Sequence, residues 1–187
     1  MIEKSEKLSS LLTLAENTKD GAAPGFQREG FLKPDAVTLI EKGEYRDCLV
    51  STRSAVEYGA QTNGANAREA PQSLDMAAGA LPEADVLKAL GTGIYVSNLW
   101  YLNFSDRSAG RLTGMTRFAS FLVENGEIQA PLNVMRFDDT IYRIFGGNLL
   151  ALTKERHFLL DPLTYEGRSS DSARVPGALV EGLRFTL

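Results

Sequence analysis

The chain has one histidine and one cysteine, and these two residues limit the metal chemistry that it could perform by itself. A protein zinc site needs three or four ligands drawn from His, Cys, Asp and Glu. Neither His157 nor Cys48 lies at metal-site spacing from another strong ligand. No spaced Asp loop of the calcium type occurs either. The sequence therefore predicts no metal site and no cofactor in this chain.

Nucleophilic and acid–base chemistry also lacks an evident set of residues. A Ser–His–Asp arrangement could use only His157, which adjoins an apolar stretch, so a packed or surface histidine is favoured over a catalytic base. Cys48 lies in a segment that predicts a strand, which favours a buried, inert thiol. The acidic pair Asp138-Asp139 favours a helix N-terminus, where carboxylates interact well with the helix dipole.

Two polar segments offer candidate binding residues. From Asn98 to Arg117, aromatic residues, hydroxyls and three arginines occupy a region that predicts a loop. This mixture suits a peptide backbone or carboxylate, because the arginine fork matches a carboxylate; the alternative is a surface loop with a small core around Trp100. The second segment, Thr62–Arg68, lies in a long polar loop that could equally be solvent-exposed without function. The candidate substrate-binding residues are Asn98, Ser105, Asp106, Arg107, Arg117, Thr62 and Asn63.

The elements that must position these segments are short. Apolar residues at helical spacing predict a helix over Ile2–Glu16. Val37–Ile40 and Tyr45–Val50 flank Gly43, which predicts a hairpin.

Two short helices are expected further along the chain. Ser54 is suited to cap a helix over Ala55–Tyr58, and Gly59 is suited to end it. The stretch Pro82–Gly91 begins with proline and acids and ends with glycine, which predicts a compact helix.

The strongest local signal is Asn125-Gly126, which predicts a type I′ turn between Thr116–Glu124 and Glu127–Val134. Asp138–Thr140 is expected to begin a short helix that continues through Phe145. Because strands outnumber helices and mostly pair locally, the predicted fold is α+β: mainly antiparallel β-sheet, barrel- or sandwich-like, with a few short helices. The expected organisation is an amino-terminal helix and linker over residues 1–23, followed by one domain over residues 24–187.

Composition excludes several classes of partner. The net charge is −4 and the isoelectric point is near 5.1, which argues against a nucleic-acid surface with its clustered Lys and Arg. No apolar run approaches the ~20 residues that cross a bilayer, and no secretory signal is evident. A lone cysteine fits a reducing compartment. The sequence predicts a cytoplasmic protein that binds neither nucleic acid nor membrane.

Short blocks occur along the chain in a recognisable order. They are Leu39–Gly43, Ser51–Ala55, Thr62–Ala67, Gly91–Val96, Ser105–Gly110, Phe121–Ile128 and Pro176–Phe185. Their order and spacing resemble the carboxy-terminal region of the TldD/PmbA (TldE) peptidase family. The most recognisable pair is the Ser-Arg-containing turn at Ser105–Gly110 and the following strand that ends Glu-Asn-Gly-Glu-Ile. The likeness covers roughly residues 24 to 187.

The resemblance implies a site that this chain does not complete. The family's usual chain is longer, and in its TldD branch a His-Glu-x-x-x-His helix supplies zinc ligands and the general base, with a cysteine near the carboxy terminus. This sequence has no His-Glu-x-x-x-His, and its tail segment Arg168–Arg174 has no cysteine. No catalytic residue is carried over. The departure indicates the PmbA/TldE-like branch, whose members resemble non-catalytic partners of a zinc-bearing subunit.

Two function hypotheses follow. In the first, the chain helps to bind an extended peptide within a TldD/TldE-type zinc peptidase assembly, as a homo-oligomer or with a TldD-like subunit, and is inactive alone because zinc is expected only in the partner. In the second, it is a stand-alone structural or ligand-binding domain. An enzyme of another type would need a catalytic set built from carboxylates and arginines alone.

Overall fold

The computed structural model describes residues 6–162, 164 and 167–186. These residues form two compact units. The first comprises residues 10–78 and 156–176; the second comprises residues 6–9, 79–155 and 177–186. The strands are β1 (Leu14–Asn17), β2 (Ala36–Glu41), β3 (Glu44–Tyr45), β4 (Ser73–Met76), β5 (Gly93–Asp106), β6 (Arg111–Glu124), β7 (Glu127–Pro131), β8 (Arg136–Thr140), β9 (Leu149–Leu160), β10 (Ser172–Val180) and β11 (Phe185–Thr186).

A sheet of order β3-β2-β1-β4-β10-β9 organises the first unit, and the unit boundary falls within β9 and β10. β1 pairs antiparallel with β2 on one side and with β4 on the other. β4 and β10 pair in parallel. The buried apolar residues of this unit are Leu12, Ala23, Val37, Ala65 and Met76.

The amino-terminal segment is not helical where it is described, so the predicted helix over Ile2–Glu16 is wrong for residues 6–16. Leu12 is 1% exposed, and its carbonyl accepts a hydrogen bond from Gly43 N at 2.8 Å. β1 then begins at Leu14 and pairs on both of its edges. Pairing with strands distant in sequence satisfies the backbone better than an isolated short helix does. Residues 2–5 lie outside the described residues.

A short helix, α1 (Thr52–Tyr58), follows β3 in the first unit. Its cap is Ser51, whose Oγ accepts a hydrogen bond from Ser54 N at 3.2 Å; Ser54, the predicted cap, lies inside the helix. The predicted end is confirmed, because Gly59 adopts φ +65° and closes the helix. No residue of α1 is buried, so its packing contributes little to stability.

The second unit contains a five-stranded sheet of order β11-β8-β6-β5, with β7 also paired to β6. β5 and β6 form a hairpin of two 14-residue strands. The predicted turn after β6 is confirmed: Asn125 and Gly126 adopt φ 53° and 80°, as a type I′ turn requires. The predicted compact helix is also confirmed as a 3₁₀ turn, Glu83–Asp85, followed by α2, Val86–Leu90. The buried apolar residues here are Val123, Phe137, Leu149 and Leu152.

The segment predicted as a loop, Asn98–Arg117, is instead the outer part of the β5–β6 hairpin. β5 continues to Asp106, and the connection to β6 is a short turn. Cross-strand pairs such as Leu99 with Thr116 run through the region. Register shifts interrupt the ladder at several points, and these bulges accommodate the turn-type residues that suggested a loop.

The acidic pair Asp138-Asp139 also departs from the prediction, because it lies in β8 and not at a helix N-terminus. β8 pairs with β6, which places Asp139 opposite Leu112. The helical segment begins only afterwards and contains a π-helical turn at Arg143–Gly147. Long-range pairing decides this segment against its local propensity.

The fold class is confirmed as α+β, mainly antiparallel strands with a few short helices. Within the described part of the chain, no helix has the length and apolar character needed to cross a membrane.

Candidate functional site

The outer hairpin, residues 97–118, carries most of the candidate residues. β5 is the last strand in its sheet order, so its outer edge pairs with no strand among residues 6–162, 164 and 167–186. Large apolar side chains are exposed along it. They are Leu99, Trp100, Tyr101, Leu102 and Phe104. Phe118, in the neighbouring strand β6, is also exposed. Native proteins normally blunt an apolar strand edge with charges or cover it, so this edge is a candidate binding surface.

Two exposed aromatic residues in the outer hairpin hold an unfavourable backbone conformation. Tyr101 and Phe118 adopt φ 57° and 59° and are 70% and 74% exposed. For bulky residues, this left-handed conformation costs about 1–2 kcal/mol each. Both rings are mostly exposed, and the contact of Phe118 with the Arg117 guanidinium offsets only part of the cost. Such strain clusters at ligand-binding sites, so the pair is the strongest local indication of function.

Arg117 contacts two aromatic rings. Its guanidinium carbon is 4.0 Å from the centroid of Trp100 and 4.5 Å from that of Phe118. The ladder places Asn98 opposite Arg117, so the structure brings these two predicted residues together. No carboxylate among the described residues pairs with the Arg117 guanidinium. Contact with the rings restrains the Arg117 guanidinium, while its N–H groups remain available to a ligand.

The other predicted residues of the hairpin lie at its tip. Asp106 accepts hydrogen bonds from Ser108 Oγ at 2.7 Å and Ala109 N at 3.2 Å, which closes the turn. The Ser108 hydroxyl bond, supported by the Ala109 N–H, lowers the pKa of Asp106. Arg107 stacks over the Phe104 ring at 5.9 Å. The Asp106 carboxylate is therefore engaged by hydrogen bonds within the turn, whereas the Arg107 side chain is exposed.

Ser105 belongs to a second cluster, which ties the hairpin to β8. Its Oγ donates to Asp138 Oδ2 at 3.2 Å, while Arg111 Nη1 donates to Asp138 Oδ1 at 2.7 Å. The Arg111 hydrogen bond is the main cause that lowers the pKa of Asp138, and the Ser105 bond acts in the same direction. This cluster is structural in character, because every one of its groups has a partner.

The Arg111–Asp138 pair makes the stability of the second unit depend on pH. The folded pKa of Asp138 is depressed, so its contribution is complete well above the unfolded value of about 3.9 and is lost as the pH falls through the folded pKa. Both side chains are about one-third exposed (37% and 31%), which limits the contribution to about 1 kcal/mol. Asp138→Asn should therefore destabilise the protein by at most about 1 kcal/mol at neutral pH, and by progressively less at acidic pH below the unfolded pKa of about 3.9, as measured by urea unfolding.

The matched control for Asp138→Asn is Asp85→Asn. Asp85 is exposed and makes no side-chain capping bond in its short helical segment. Its replacement should leave the urea midpoint almost unchanged at both pH values. A wild-type minus Asp138→Asn difference that stays constant from neutral to acidic pH would contradict the assignment.

Thr62 and Asn63, the remaining predicted residues, belong to the first unit, whereas the other five belong to the second. Thr62 Oγ1 donates to Val50 O at 2.9 Å. Asn63 Nδ2 donates to Cys48 O, and its Oδ1 accepts from Val50 N, both at 2.8 Å. These bonds fasten the loop to the preceding segment. Asn63 also lines a shallow concavity of about 250 Å³ with Glu16, but its amide is occupied by the backbone.

Sequence reasoning missed Tyr101 and Phe118 as functional candidates and treated Trp100 only as a small core. A run of aromatic residues in a polar segment is a visible signal. Their exposure and positive φ, however, depend on the register shifts between β5 and β6, which no local pattern encodes.

The donor set does not fit the zinc ion that the resemblance attributes to a TldD branch. Cys48 is exposed in an irregular segment, so the prediction of a buried strand cysteine is wrong. His157 lies in β9, away from any metal-type cluster: within residues 6–162, 164 and 167–186, no three His, Cys, Asp or Glu side chains are grouped to hold a metal. No step of a zinc mechanism is assigned to these residues.

Residues 5–187 match the sequence family described as the PmbA/TldA metallopeptidase C-terminal domain. The chain belongs to this family. The family blocks identified above lie within this match, which also covers the whole outer hairpin. The resemblance to TldD/PmbA proteins is therefore confirmed at the level of the family. No curated protein sequence matches the chain.

Solved structures of this PmbA/TldA type share the fold. TldE from Thermococcus kodakarensis matches with a TM-score of 0.79 at 17% identity, over 100% of this chain and 42% of that one. A candidate modulator of a DNA gyrase from Thermotoga maritima matches with a TM-score of 0.79 at 15% identity, over 99% and 42%. A similar protein from Bacteroides thetaiotaomicron gives 0.73 at 21%, over 97% and 38%. The chain thus spans less than half the length of these three proteins.

Proposed function

We propose that this chain is a PmbA/TldE-like, non-catalytic domain that binds an extended peptide within a cytoplasmic TldD/TldE-type zinc peptidase assembly. The observation that carries the proposal is the unpaired outer edge of β5 with its exposed aromatic residues. Family membership supports the peptidase context.

The geometry favours binding by strand addition. An extended peptide that pairs with β5 would satisfy the backbone N–H and C=O groups along that edge. β5 has 14 residues, which is ample for a peptide of ordinary strand length. Trp100, Tyr101 and Phe118 would provide apolar contact to alternate side chains of the peptide. Strand addition thus covers both the polar backbone and the apolar surface that this edge exposes.

Chemistry on the peptide belongs to the partner in this proposal. The described residues of this chain do not offer a zinc-type donor set, and the sequence has no His-Glu-x-x-x-His. The zinc ion and the general base would therefore come from a TldD-like subunit, while this domain would position the substrate.

Replacing the two strained rings by asparagine should separate binding from stability. Asparagine tolerates positive φ better than tyrosine or phenylalanine, so the double variant Tyr101→Asn/Phe118→Asn should fold with an unchanged or slightly raised melting temperature. Loss of two exposed contact rings should weaken peptide binding by about tenfold or more. The readout is fluorescence anisotropy of the labelled peptide Val-Thr-Val-Glu-Val-Thr-Val with the full chain, beside thermal unfolding of each variant.

Tyr58→Asn is the matched control, because Tyr58 is 76% exposed on α1 in the first unit. It should bind the peptide like the wild type. The same proteins, tagged and expressed in the native host, test the assembly: the wild type should recover a protein that bears His-Glu-x-x-x-His. A wild-type chain that recovers no such protein and binds no extended peptide would overturn the proposal in favour of a stand-alone structural domain.

A further inference from the structure

We infer that the peptide taken up at β5 is acidic, and that Arg117 recognises a carboxylate side chain on it. This inference rests on the proposed function and specifies the substrate class of the same site. The observation behind it is the contact of the Arg117 guanidinium with two aromatic rings. Its central carbon is 4.0 Å from the centroid of Trp100 and 4.5 Å from that of Phe118.

The arginines of the outer hairpin differ in whether they have a partner. Arg111 is committed to Asp138 at 2.7 Å. Arg117 and Arg107 contact aromatic rings but no carboxylate of the described chain. Stacking supplies attraction to the guanidinium face, whereas the N–H groups point outward in its plane, where they can bind two carboxylate oxygens together.

The charge of the outer hairpin is opposite to that of the whole protein. Residues 97–118 contain three arginines and one aspartate, while the chain as a whole carries a net charge of −4. Asp106, the one acid among these residues, is held in the turn by the hydrogen bonds that it accepts from Ser108 and Ala109. Arg111 is paired with Asp138, so the positive charge that remains for a ligand is that of Arg107 in the turn and Arg117 in β6. These cations beside exposed aromatic residues, on an acidic protein, are complementary to an extended acidic segment and disfavour a basic one.

Because its side chain is restrained, Arg117 should lose less entropy on binding a carboxylate than an ordinary surface arginine does. A flexible side chain loses rotamer entropy when it forms an ion pair, and exposed pairs therefore gain little. Arg117 already contacts two aromatic rings, and it is half-buried, so less entropy remains to be lost. The stacked geometry also requires a planar cation, which lysine cannot supply.

The test compares peptides that differ only in one central side chain. Val-Thr-Val-Glu-Val-Thr-Val is titrated against the full chain beside its Gln and Lys counterparts. A charge-assisted pair predicts that the Glu peptide binds about tenfold more tightly than the Gln peptide, and that the Lys peptide binds weakest. Arg117→Gln should abolish the preference for Glu, and Arg117→Lys should recover only part of it.

Arg53→Gln is the control for loss of charge, because Arg53 is exposed on α1 and its partner there is Glu57. This variant should retain the full preference. Thermal unfolding of each variant verifies that the fold is intact before its affinities are compared.

The outcomes separate the two proposals. Equal affinity of the wild type for the Glu and Gln peptides would overturn the acidic specificity and leave strand addition in place. If the wild type bound none of the three peptides, strand addition itself would be overturned. A concentration-dependent dimer in sedimentation, disrupted by Arg117→Gln and unaffected by peptide, would assign this edge to a second copy of the chain and overturn the inference.

Discussion

Gly79→Ala should reduce the unfolding free energy by about 3 kcal/mol or more. Side-chain rearrangement does not relieve the clash, because the nearest atoms are backbone atoms. A Cβ placed on Gly79 would lie 2.1 Å from the Leu152 carbonyl oxygen and 2.6 Å from its carbonyl carbon. Leu152 is 1% exposed, and Gly79 N donates to the adjacent Thr153 carbonyl at 2.8 Å. Relief of the clash would require separation of Gly79 from β9.

Gly147→Ala provides the matched control for Gly79→Ala. Apart from its chain neighbours and its own helical backbone, no heavy atom of the described residues lies within 4 Å of a Cβ built on Gly147. This change should therefore alter stability by no more than about 0.5 kcal/mol. Urea unfolding monitored by circular dichroism compares the two variants under one condition. Equal midpoints for Gly79→Ala and the wild type would show that residue 79 does not approach β9 as closely as the structure places it.

Phe137→Ala is the second change with a large expected effect, a loss of about 3–5 kcal/mol. Phe137 is 1% exposed and is the largest of the fully buried side chains. It lies in β8 opposite Gly114 of β6, and a Cβ on Gly114 would be 2.8 Å from both Phe137 Cε1 and Leu102 Cδ2. The ring therefore fills the space that the glycine leaves, and its removal creates a cavity beneath the hairpin.

The control for Phe137→Ala is Phe104→Ala, which removes the same ring from a position that is 55% exposed. This variant should lose less than about 1 kcal/mol. Chemical denaturation measures both. If the two variants lost similar stability, Phe137 would not be the centre of the buried cluster. The contrast separates a ring that is buried beneath the sheet from a ring that is exposed on the outer hairpin.

Gly114 lies where the core of the second unit meets the outer hairpin. Because no side chain stands at this position, Leu102 from β5 can approach the Phe137 ring across β6. The outer hairpin is thus supported from one face by the core, although its side chains at Tyr101 and Phe118 remain exposed. A rigid support beneath an exposed edge reduces the ordering cost when a peptide binds.

The family and the general fold class could be read from the sequence alone. The ordered blocks depend on residue identity, and the confirmed family match covers residues 5–187. Turns with strong chemistry were also predictable: Asn125-Gly126 and Gly59 need positive φ, which their residue types adopt at low cost. Local conformational preference is sufficient in these places because the competing structures are few.

Tertiary structure decided the elements where local preference was weak or misleading. Leu8, Leu11 and Leu12 have helical spacing, yet β1 forms at Leu14 because two strands pair with it. Asp138 and Asp139 favour a helix start, yet they lie in β8 because this strand pairs with β6. In both cases hydrogen bonds between strands distant in the chain outweigh the helical preference of a short segment.

The candidate site shows the same division. Residue types alone identified Asn98, Arg107 and Arg117 as candidates, because arginine and amide groups suit a peptide partner. Only the register between β5 and β6 places Asn98 opposite Arg117 and Trp100 against its guanidinium. The bulges that expose Tyr101 and Phe118 arise from cross-strand pairing, which couples residues far apart in the sequence. The sequence specifies which side chains are present, whereas strand pairing decides which of them lie side by side.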